Sequence, residues 1–170
     1  PGTYTLTVTA TDLGVVTTNI PVTAGTNMAI SLVLPPDSTP PIISNVGTLA
    51  GHVTVGDHAV IGGLAAIHQF CRIGKLSMIG GCSKVVQDVP PFMIADGNPA
   101  QTRTINKVGL ERNGVDAPAQ AALKQAYKIL FRDGLTMSNA AARIEADLPA
   151  LPEVQHLIEF VRTSERGLSK

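Results

Sequence analysis

A repeat of six residues runs from Ile43 to Pro90 and constrains this chain more than any other feature. The fifth position of each block is never larger than valine, and glycine recurs at the second position. The first position is aliphatic in all eight blocks, namely Ile43, Leu49, Val55, Ile61, Ile67, Ile73, Ile79 and Val85. This period fits neither an α-helix nor simple strand alternation and is typical of a left-handed parallel β-helix with three short strands per turn. A glycine-rich β-sandwich that repeats by accident is the alternative, and eight blocks in phase argue against it.

Glycine pairs within the repeat invite two interpretations. Gly62–Gly63 and Gly80–Gly81 resemble a phosphate-binding loop only superficially, because no GxxxxGK[ST] motif follows them. We predict instead that they form the tight corners of the coil, where a positive φ favours glycine.

The composition narrows the functional class. The 170 residues suffice for one sizeable domain or two small ones, and 13 basic and 13 acidic residues give no indication of a nucleic-acid or anionic membrane partner. Cys71 and Cys82 are too few for a disulfide framework and are predicted to be buried free thiols. The four histidines have no metal-ligand spacing, so no metal site is predicted. No apolar run reaches the roughly 18 residues of a membrane span, so we expect a soluble chain with no transmembrane segment.

Residues 1–34 are predicted to form a β-strand meander. The opening TYTLTVTAT alternates threonine with apolar residues, and further apolar runs follow at Val15–Val22 and Met28–Leu34. The motifs GTYTLTVTATDLG, TTNIPVTAG and ISLVL resemble the last strands of carboxypeptidase regulatory-like β-sandwich domains. Residues 35–41, PPDSTPP, are predicted to be an extended proline-rich linker.

The tail, residues 101–170, is predicted to be an α-helical domain. Asp116 is the expected N-cap of a helix that stops at Gly134, and a second helix starts at Thr136 or Ser138. A third helix carries an apolar stripe of Val154, Leu157, Ile158 and Val161. The predicted fold is therefore mainly β plus α: a truncated β-helix over residues 42–100 between the meander and the helical domain.

Four motifs make the family resemblance specific. They are LAGHVTVGDHAVIGG, AAIHQFCRIG, GGCSKVVQDVPPFMIADGNPA and FVRTSERGL. From about residue 42 to the C-terminus, the chain resembles the hexapeptide-repeat acyl-[acyl-carrier-protein]–UDP-N-acetylglucosamine O-acyltransferases of lipid A biosynthesis. The resemblance implies a cytoplasmic homotrimer with active sites between neighbouring β-helices. Such an enzyme moves a 3-hydroxyacyl chain from acyl carrier protein to the sugar 3-hydroxyl, with the carrier thioester as co-substrate and no cofactor.

The resemblance assigns roles to four residues of the repeat. Gly51, in LAGH, would offer its backbone N–H to the thioester oxyanion, and His52 would position the substrate. His68 and Gln69, in IHQF, would line the sugar and acyl site. Considered without the family, His52 falls at the fourth position of its block, where an ordinary surface or packing histidine is the alternative.

Three further positions follow from the same resemblance. Gly81 would lie at the floor of the acyl groove, where side-chain size sets the chain length. Asn106 and Arg112, in INKVGLERNG, match positions that contact the acyl-phosphopantetheine or the nucleotide. The family often has a second basic residue after the position of Arg112, and this chain has Asn113 there.

The family's general base has no counterpart in these 170 residues. It would lie about one coil upstream of His52, near Val33, and no histidine precedes His52. Loss of a general base lowers the rate by about 10² to 10⁴. We expect a fragment or fusion that keeps the trimeric scaffold with little turnover. Two alternatives stay open: an active acyltransferase in which another group replaces the base, and a purely structural β-helix module or chimera.

Overall fold

The computed structural model describes residues 2–10, 14–22, 42–43 and 48–170, with side chains described from Leu49 onward. Strands β1 (Gly2–Ala10) and β2 (Gly14–Val22) form an antiparallel hairpin in which Gly2 lies opposite Val22. The predicted third strand of the meander and the proline-rich linker lie outside the described residues.

The six-residue repeat forms a left-handed parallel β-helix, as predicted. Strands of the repeat pair in parallel with one another at a spacing of 18 residues, so that Thr48 lies beside Ala66 and Ala66 beside Lys84. Three blocks therefore make one coil. The strands are β3 (Ile42–Ile43), β4 (Thr48–Leu49), β5 (Thr54–Val55), β6 (Val60–Ile61), β7 (Ala66–Ile67), β8 (Arg72–Ile73), β9 (Met78–Ile79) and β10 (Lys84–Val85).

The interior of the coil explains the pattern of side-chain sizes. First-position side chains stack inward, and those from Ile61 to Val85 are at most 2% exposed. Fifth-position side chains fill the corners of the interior, and the small residues Ala59, Cys71 and Ser77 are fully buried there. The two polar fifth-position residues are satisfied as well, since the Ser77 hydroxyl donates to the carbonyl of Gly74 at 2.7 Å and the Ser83 hydroxyl to the Asp96 carboxylate at 3.0 Å.

The predicted role of the glycine pairs as positive-φ corners is wrong. The corners are formed by the fourth position of each block, where six non-glycine residues have φ between 55° and 65°, namely His52, His58, Leu64, Phe70, Leu76 and Cys82. Gly62 is required for a different reason: a Cβ added there would lie 2.6 Å from the backbone nitrogen of Gly81 in the next coil. Glycine at the second position therefore permits close approach of successive coils rather than a turn.

A hairpin closes the β-helix. Strand β11 (Met93–Gly97) pairs in parallel with β9 and antiparallel with β12 (Ala100–Ile105). The turn between them contains a cis peptide bond between Asn98 and Pro99.

Four helices follow: α1 (Lys107–Arg112), α2 (Ala117–Phe131), α3 (Met137–Asp147) and α4 (Pro152–Arg162). The Asp116 carboxylate accepts from the backbone N–H of Ala119 at 2.8 Å, as predicted. The Thr136 hydroxyl caps α3, so this helix begins at the first of its two predicted starts. Gly134 has φ of +70° after α2. The short helix α1 was not predicted.

The helical domain and the end of the β-helix share one core. The predicted stripe of α4 is buried, with Val154, Leu157, Ile158 and Val161 at most 6% exposed. These side chains cluster with Phe92 and Met93, which leave the last coil. None of the described helices is long and apolar enough to cross a membrane.

Candidate functional site

One corner of the β-helix carries a stacked pair of aromatic rings. His52 and Phe70 occupy the same corner of successive coils, and their rings lie parallel, with centroids 5.2 Å apart and an angle of 6°. The backbone N–H of Phe70 donates to the carbonyl of His52 at 3.1 Å. Both residues are exposed, Phe70 to 53%. The stacking fixes the plane of the imidazole while leaving it accessible.

The other residues predicted from LAGH and IHQF lie at this corner. Gly51 precedes His52, and His68 and Gln69 precede Phe70 one coil below. The backbone N–H of His68 donates to Val85 at 2.9 Å, and its Nδ1 lies 3.1 Å from the Gln69 carbonyl oxygen. A Cβ added at Gly51 would meet no atom of the described residues within 4 Å, and the residue is exposed. The structure therefore brings these four predicted residues together on adjacent coils.

Gly81 lies at a different corner. It follows strand β9, whereas His52 and His68 follow strands β4 and β7. A Cβ added at Gly81 would lie 3.2 Å from the carbonyl oxygen of Gly63, which is one coil away. Any side chain at Gly81 would be tightly placed against that coil.

Asn106 and Arg112 lie beyond the coils. Asn106 is 5% exposed, and its side chain donates to the carbonyl of Leu76 at 2.9 Å while accepting from the N–H of Gly109 at 3.1 Å. It therefore caps α1 and ties that helix to the corner that carries His58 and Leu76, called here the third corner of the β-helix. Arg112, at the end of α1, is exposed, and within the described part of the chain it forms no salt bridge.

A cleft of about 580 Å³ opens beside the His52 corner, and the sequence did not reveal its second wall. One wall comes from the coils, and the other comes from the C-terminal segment after α4. The lining residues are His52, Thr54, Phe70, Arg72, Asp88, Thr163, Glu165 and Arg166. The spacing of 18 residues that relates positions 52, 70 and 88 could have identified the coil wall. The facing segment lies within the motif FVRTSERGL, but nothing in that motif indicated that it faces this corner.

A second cleft, of about 720 Å³, separates the third corner from α4. His156 lines it and lies edge-on to Phe92, with ring centroids 5.8 Å apart and an angle of 70°. Burial of the ring lowers the pKa of His156, and the charge of Lys75 lowers it further. His156 therefore favours its neutral form in the folded chain.

The two cysteines differ. Cys71 is fully buried, as predicted, and burial raises the pKa of its thiol. Cys82 is exposed, contrary to the prediction, because its fourth position is an outward-facing corner. Over the described residues, no cluster of three His, Cys, Asp or Glu side chains could hold a metal ion.

The family model and the curated proteins that match this chain describe the same kind of protein. The family model for domain 2 of UDP-N-acetylglucosamine O-acyltransferase matches residues 88–169. The acyl-[acyl-carrier-protein]–UDP-N-acetylglucosamine O-acyltransferase of Thiobacillus denitrificans is 45% identical over 127 residues, which are 75% of this chain and 49% of that protein. The corresponding protein of Aliivibrio salmonicida is 44% identical over 75% of this chain and 48% of its own length. The chain thus spans about half the length of the curated relatives it matches.

Solved structures agree with these relatives. LpxA from Acinetobacter baumannii matches 76% of this chain and 51% of its own, with a TM-score of 0.74 and 43% identity. LpxA, a UDP-N-acetylglucosamine acyltransferase from Bacteroides fragilis, matches 76% of this chain and 50% of its own, with a TM-score of 0.73 and 36% identity.

Proposed function

Because three quarters of this chain is homologous to the C-terminal portion of acyl-[acyl-carrier-protein]–UDP-N-acetylglucosamine O-acyltransferases, we propose that it carries the corresponding part of an acyl-transfer site. In this proposal the chain is cytoplasmic, and it binds UDP-N-acetylglucosamine and a 3-hydroxyacyl group carried on acyl carrier protein. The single observation that supports it best is the assembly of Gly51, His52, His68 and Gln69 at one accessible corner.

The distribution of the site residues supports assembly of several copies. His52 and His68 lie at one corner, Gly81 at another, and Asn106 is bonded to the third. The corners of a single triangular coil point in different directions, so they cannot converge on one ligand. A homotrimer brings a corner of one copy against a different corner of the next, because cyclic symmetry joins unlike surfaces. The exposed apolar side chains Leu64 and Phe70, at two of these corners, favour such contacts.

The chemistry assigns separate roles to the corner residues. Transfer of an acyl group to a sugar hydroxyl needs N–H donors for the thioester oxyanion and a base for the hydroxyl proton. The backbone N–H of Gly51, an exposed residue, is the proposed oxyanion donor, and His52 positions the substrate with its ring held by Phe70. No histidine precedes His52 in these 170 residues. We therefore propose that the chain binds its substrates and turns them over slowly. Its rate should be lower by a factor of about 10² to 10⁴ than that of a protein with the base.

Gly81 is the proposed determinant of acyl-chain length, and Asn106 and Arg112 are proposed contacts for the phosphopantetheine or the nucleotide. An alanine at Gly81 would place a methyl group against the Gly63 carbonyl, so this surface tolerates little added volume. Asn106 already uses its side chain to hold α1, so its proposed contact with substrate uses the remaining amide hydrogen.

Binding and turnover assays separate the open alternatives. We expect calorimetry to detect binding of UDP-N-acetylglucosamine, and His52→Ala to weaken it. His58→Ala is the matched control, since His58 has the same corner conformation but lies in the second cleft. Turnover of 3-hydroxyacyl carrier protein within a few-fold of a full-length relative, abolished by His52→Ala, would show that another group replaces the base.

Light scattering tests the assembly. A trimer that binds neither substrate would favour the structural-module alternative, for which the exposed apolar corners are the supporting observation. A monodisperse monomer would contradict both the shared site and the structural module.

A further inference from the structure

Asp88 occupies the same corner as His52 and Phe70 but behaves differently. It is the next fourth-position residue in the column, yet it lacks the positive φ of the two above it. Its side chain is buried, at 1% exposure, and both carboxylate oxygens are engaged. One accepts from the backbone N–H of Arg72 at 2.9 Å, and the other from the hydroxyl of Ser164 at 2.7 Å. The column therefore ends in a residue that links two coils to the C-terminal segment.

The backbone of Asp88 makes the same connection. Its N–H donates to the carbonyl of Gly167 at 3.0 Å, and its carbonyl accepts from the N–H of Ser169 at 2.9 Å. Leu168 lies between these bonds and is 3% exposed. Residues 163–169 are called here the C-terminal strap. Both the side chain and the backbone of Asp88 thus join this strap to the last coil.

Arg72 joins the strap to the coil above. Its guanidinium donates to the carbonyl and the hydroxyl of Thr163 at 2.9 and 3.0 Å and lies 4.2 Å over the centroid of the Phe160 ring. Because the backbone N–H of Arg72 also donates to Asp88, the strap, the Phe70 coil and Asp88 form one hydrogen-bonded unit. The strap supplies Thr163, Glu165 and Arg166 to the cleft that His52 and Phe70 line.

From these contacts we propose that Asp88 is a positioning residue, which anchors the strap so that it forms the second wall of a substrate cleft facing His52. The proposal rests on the proposed function, in which His52 positions the nucleotide sugar. Glu165 is exposed and offers its carboxylate to the hydroxyls of a nucleotide sugar. The guanidinium of Arg166 is turned toward the coil, where it donates to the carbonyl of Val86 at 3.3 Å, so Arg166 helps to hold the strap in place. Without the Asp88 side chain, the strap would no longer be held against the coil, and Glu165 and Arg166 would no longer be fixed beside the cleft.

Cys71 provides an internal reporter of the strap. Its buried thiol lies within electrostatic range of Asp88 and Arg166. In a Cys82→Ser background, Cys71 is the single thiol, and its rate of reaction with a disulfide reagent measures how often the strap opens. We expect Asp88→Ala to increase this rate and to weaken binding of UDP-N-acetylglucosamine, each by about tenfold or more, since charged hydrogen bonds are lost. Ser164→Ala, which removes one bond, is expected to act in the same direction to a smaller extent.

Asp116→Ala is the matched control, because it removes an aspartate that stabilises α2 without touching the strap. It should leave nucleotide-sugar affinity unchanged. Faster Cys71 labelling with unchanged affinity in the Asp88 and Ser164 variants would overturn the positioning role and leave the strap purely structural. Unchanged labelling would refute the anchor itself.

Failure of the proposed function has a separate signature. If the parent chain binds no UDP-N-acetylglucosamine, the proposed function fails, and the NMR signal of the His52 ring then decides the positioning claim. That signal should shift in Ser164→Ala and Asp88→Ala but not in Asp116→Ala. A His52 signal unchanged in all three variants would refute the claim that the strap faces His52.

Discussion

Replacing Gly62 by alanine tests the close approach of successive coils. The added Cβ would lie 2.6 Å from the backbone nitrogen of Gly81, and 2.9 Å from the Cα of Gly81 and the carbonyl carbon of Gly80. All three are backbone atoms, so no side-chain rotation can relieve the clash. The coils are held at this spacing by hydrogen bonds such as that from the Gly62 N–H to the Ile79 carbonyl, at 2.9 Å. Relief requires the two coils to separate and these bonds to lengthen.

The expected loss of stability follows from two opposing effects. Overpacking a well-packed interior by one methyl group typically costs about 1–3 kcal/mol. Alanine also lowers the conformational entropy of the unfolded chain, which stabilises the folded state by about 0.4–1 kcal/mol. The free energy of unfolding should therefore fall by a net ~1–2 kcal/mol. The urea midpoint should fall by about 0.5–1 M if the free energy of unfolding depends on urea concentration as it does in ordinary small proteins. Circular dichroism during urea denaturation measures both.

Two other glycines separate the possible causes. Among the described residues, no atom lies within 4 Å of a Cβ added at Gly51, and Gly51 has no positive φ, so Gly51→Ala should leave stability equal to the parent or slightly higher. Gly134 also has open space but has φ of +70°, so Gly134→Ala should lose about 1 kcal/mol through backbone conformation alone. The steric interpretation is refuted if Gly62→Ala is as stable as Gly51→Ala.

Other features lead to further expectations. Asp116→Ala removes the cap of α2 and should lower the free energy of unfolding by about 1 kcal/mol, measured by the same denaturation. The pKa of His156 is lower in the folded chain than in the unfolded chain, so as the pH falls the unfolded chain takes up the proton at a higher pH. The contribution of His156 to the free energy of unfolding should therefore be fully present at neutral pH and decline as the pH falls below the ordinary pKa of 6.5. Thermal melts across this range should show a smaller decline in His156→Gln, and an equal decline would contradict the assignment. Under native conditions Cys82 should react with a thiol reagent at once and Cys71 slowly, as two phases in a labelling time course, and a single fast phase would contradict the burial of Cys71.

Repetition and local chemistry made much of the fold predictable. The aliphatic first positions recur every six residues, and stacking requires them to share an interior, so the β-helix follows from spacing alone. The caps at Asp116 and Thr136 depend only on residues three positions away, which the sequence displays directly. The corner residues from LAGH and IHQF came together because the coil period places them on adjacent turns.

Long-range and irregular features were not predictable in this way. The bond between Ser164 and Asp88 joins residues 76 positions apart, and nothing in either neighbourhood indicates the other. Helix α1 has six residues, too few to display a helical period. The corner conformation was misassigned because a positive φ was expected of glycine, whereas the coil imposes it on the fourth-position residues of six successive blocks, from His52 to Cys82.

That conformation has a consequence for engineering the scaffold. A left-handed backbone disfavours ordinary L side chains by roughly 1–2 kcal/mol per residue, so six such corners together oppose folding by an amount comparable to the net stability of a typical domain. Leu64, 65% exposed with φ of +61°, gains little from burial in exchange. Glycine or asparagine at such exposed corners would raise the melting temperature without entering the core. The β-helix is thus held together from inside, and its thermal tolerance can be tuned from its outer edges.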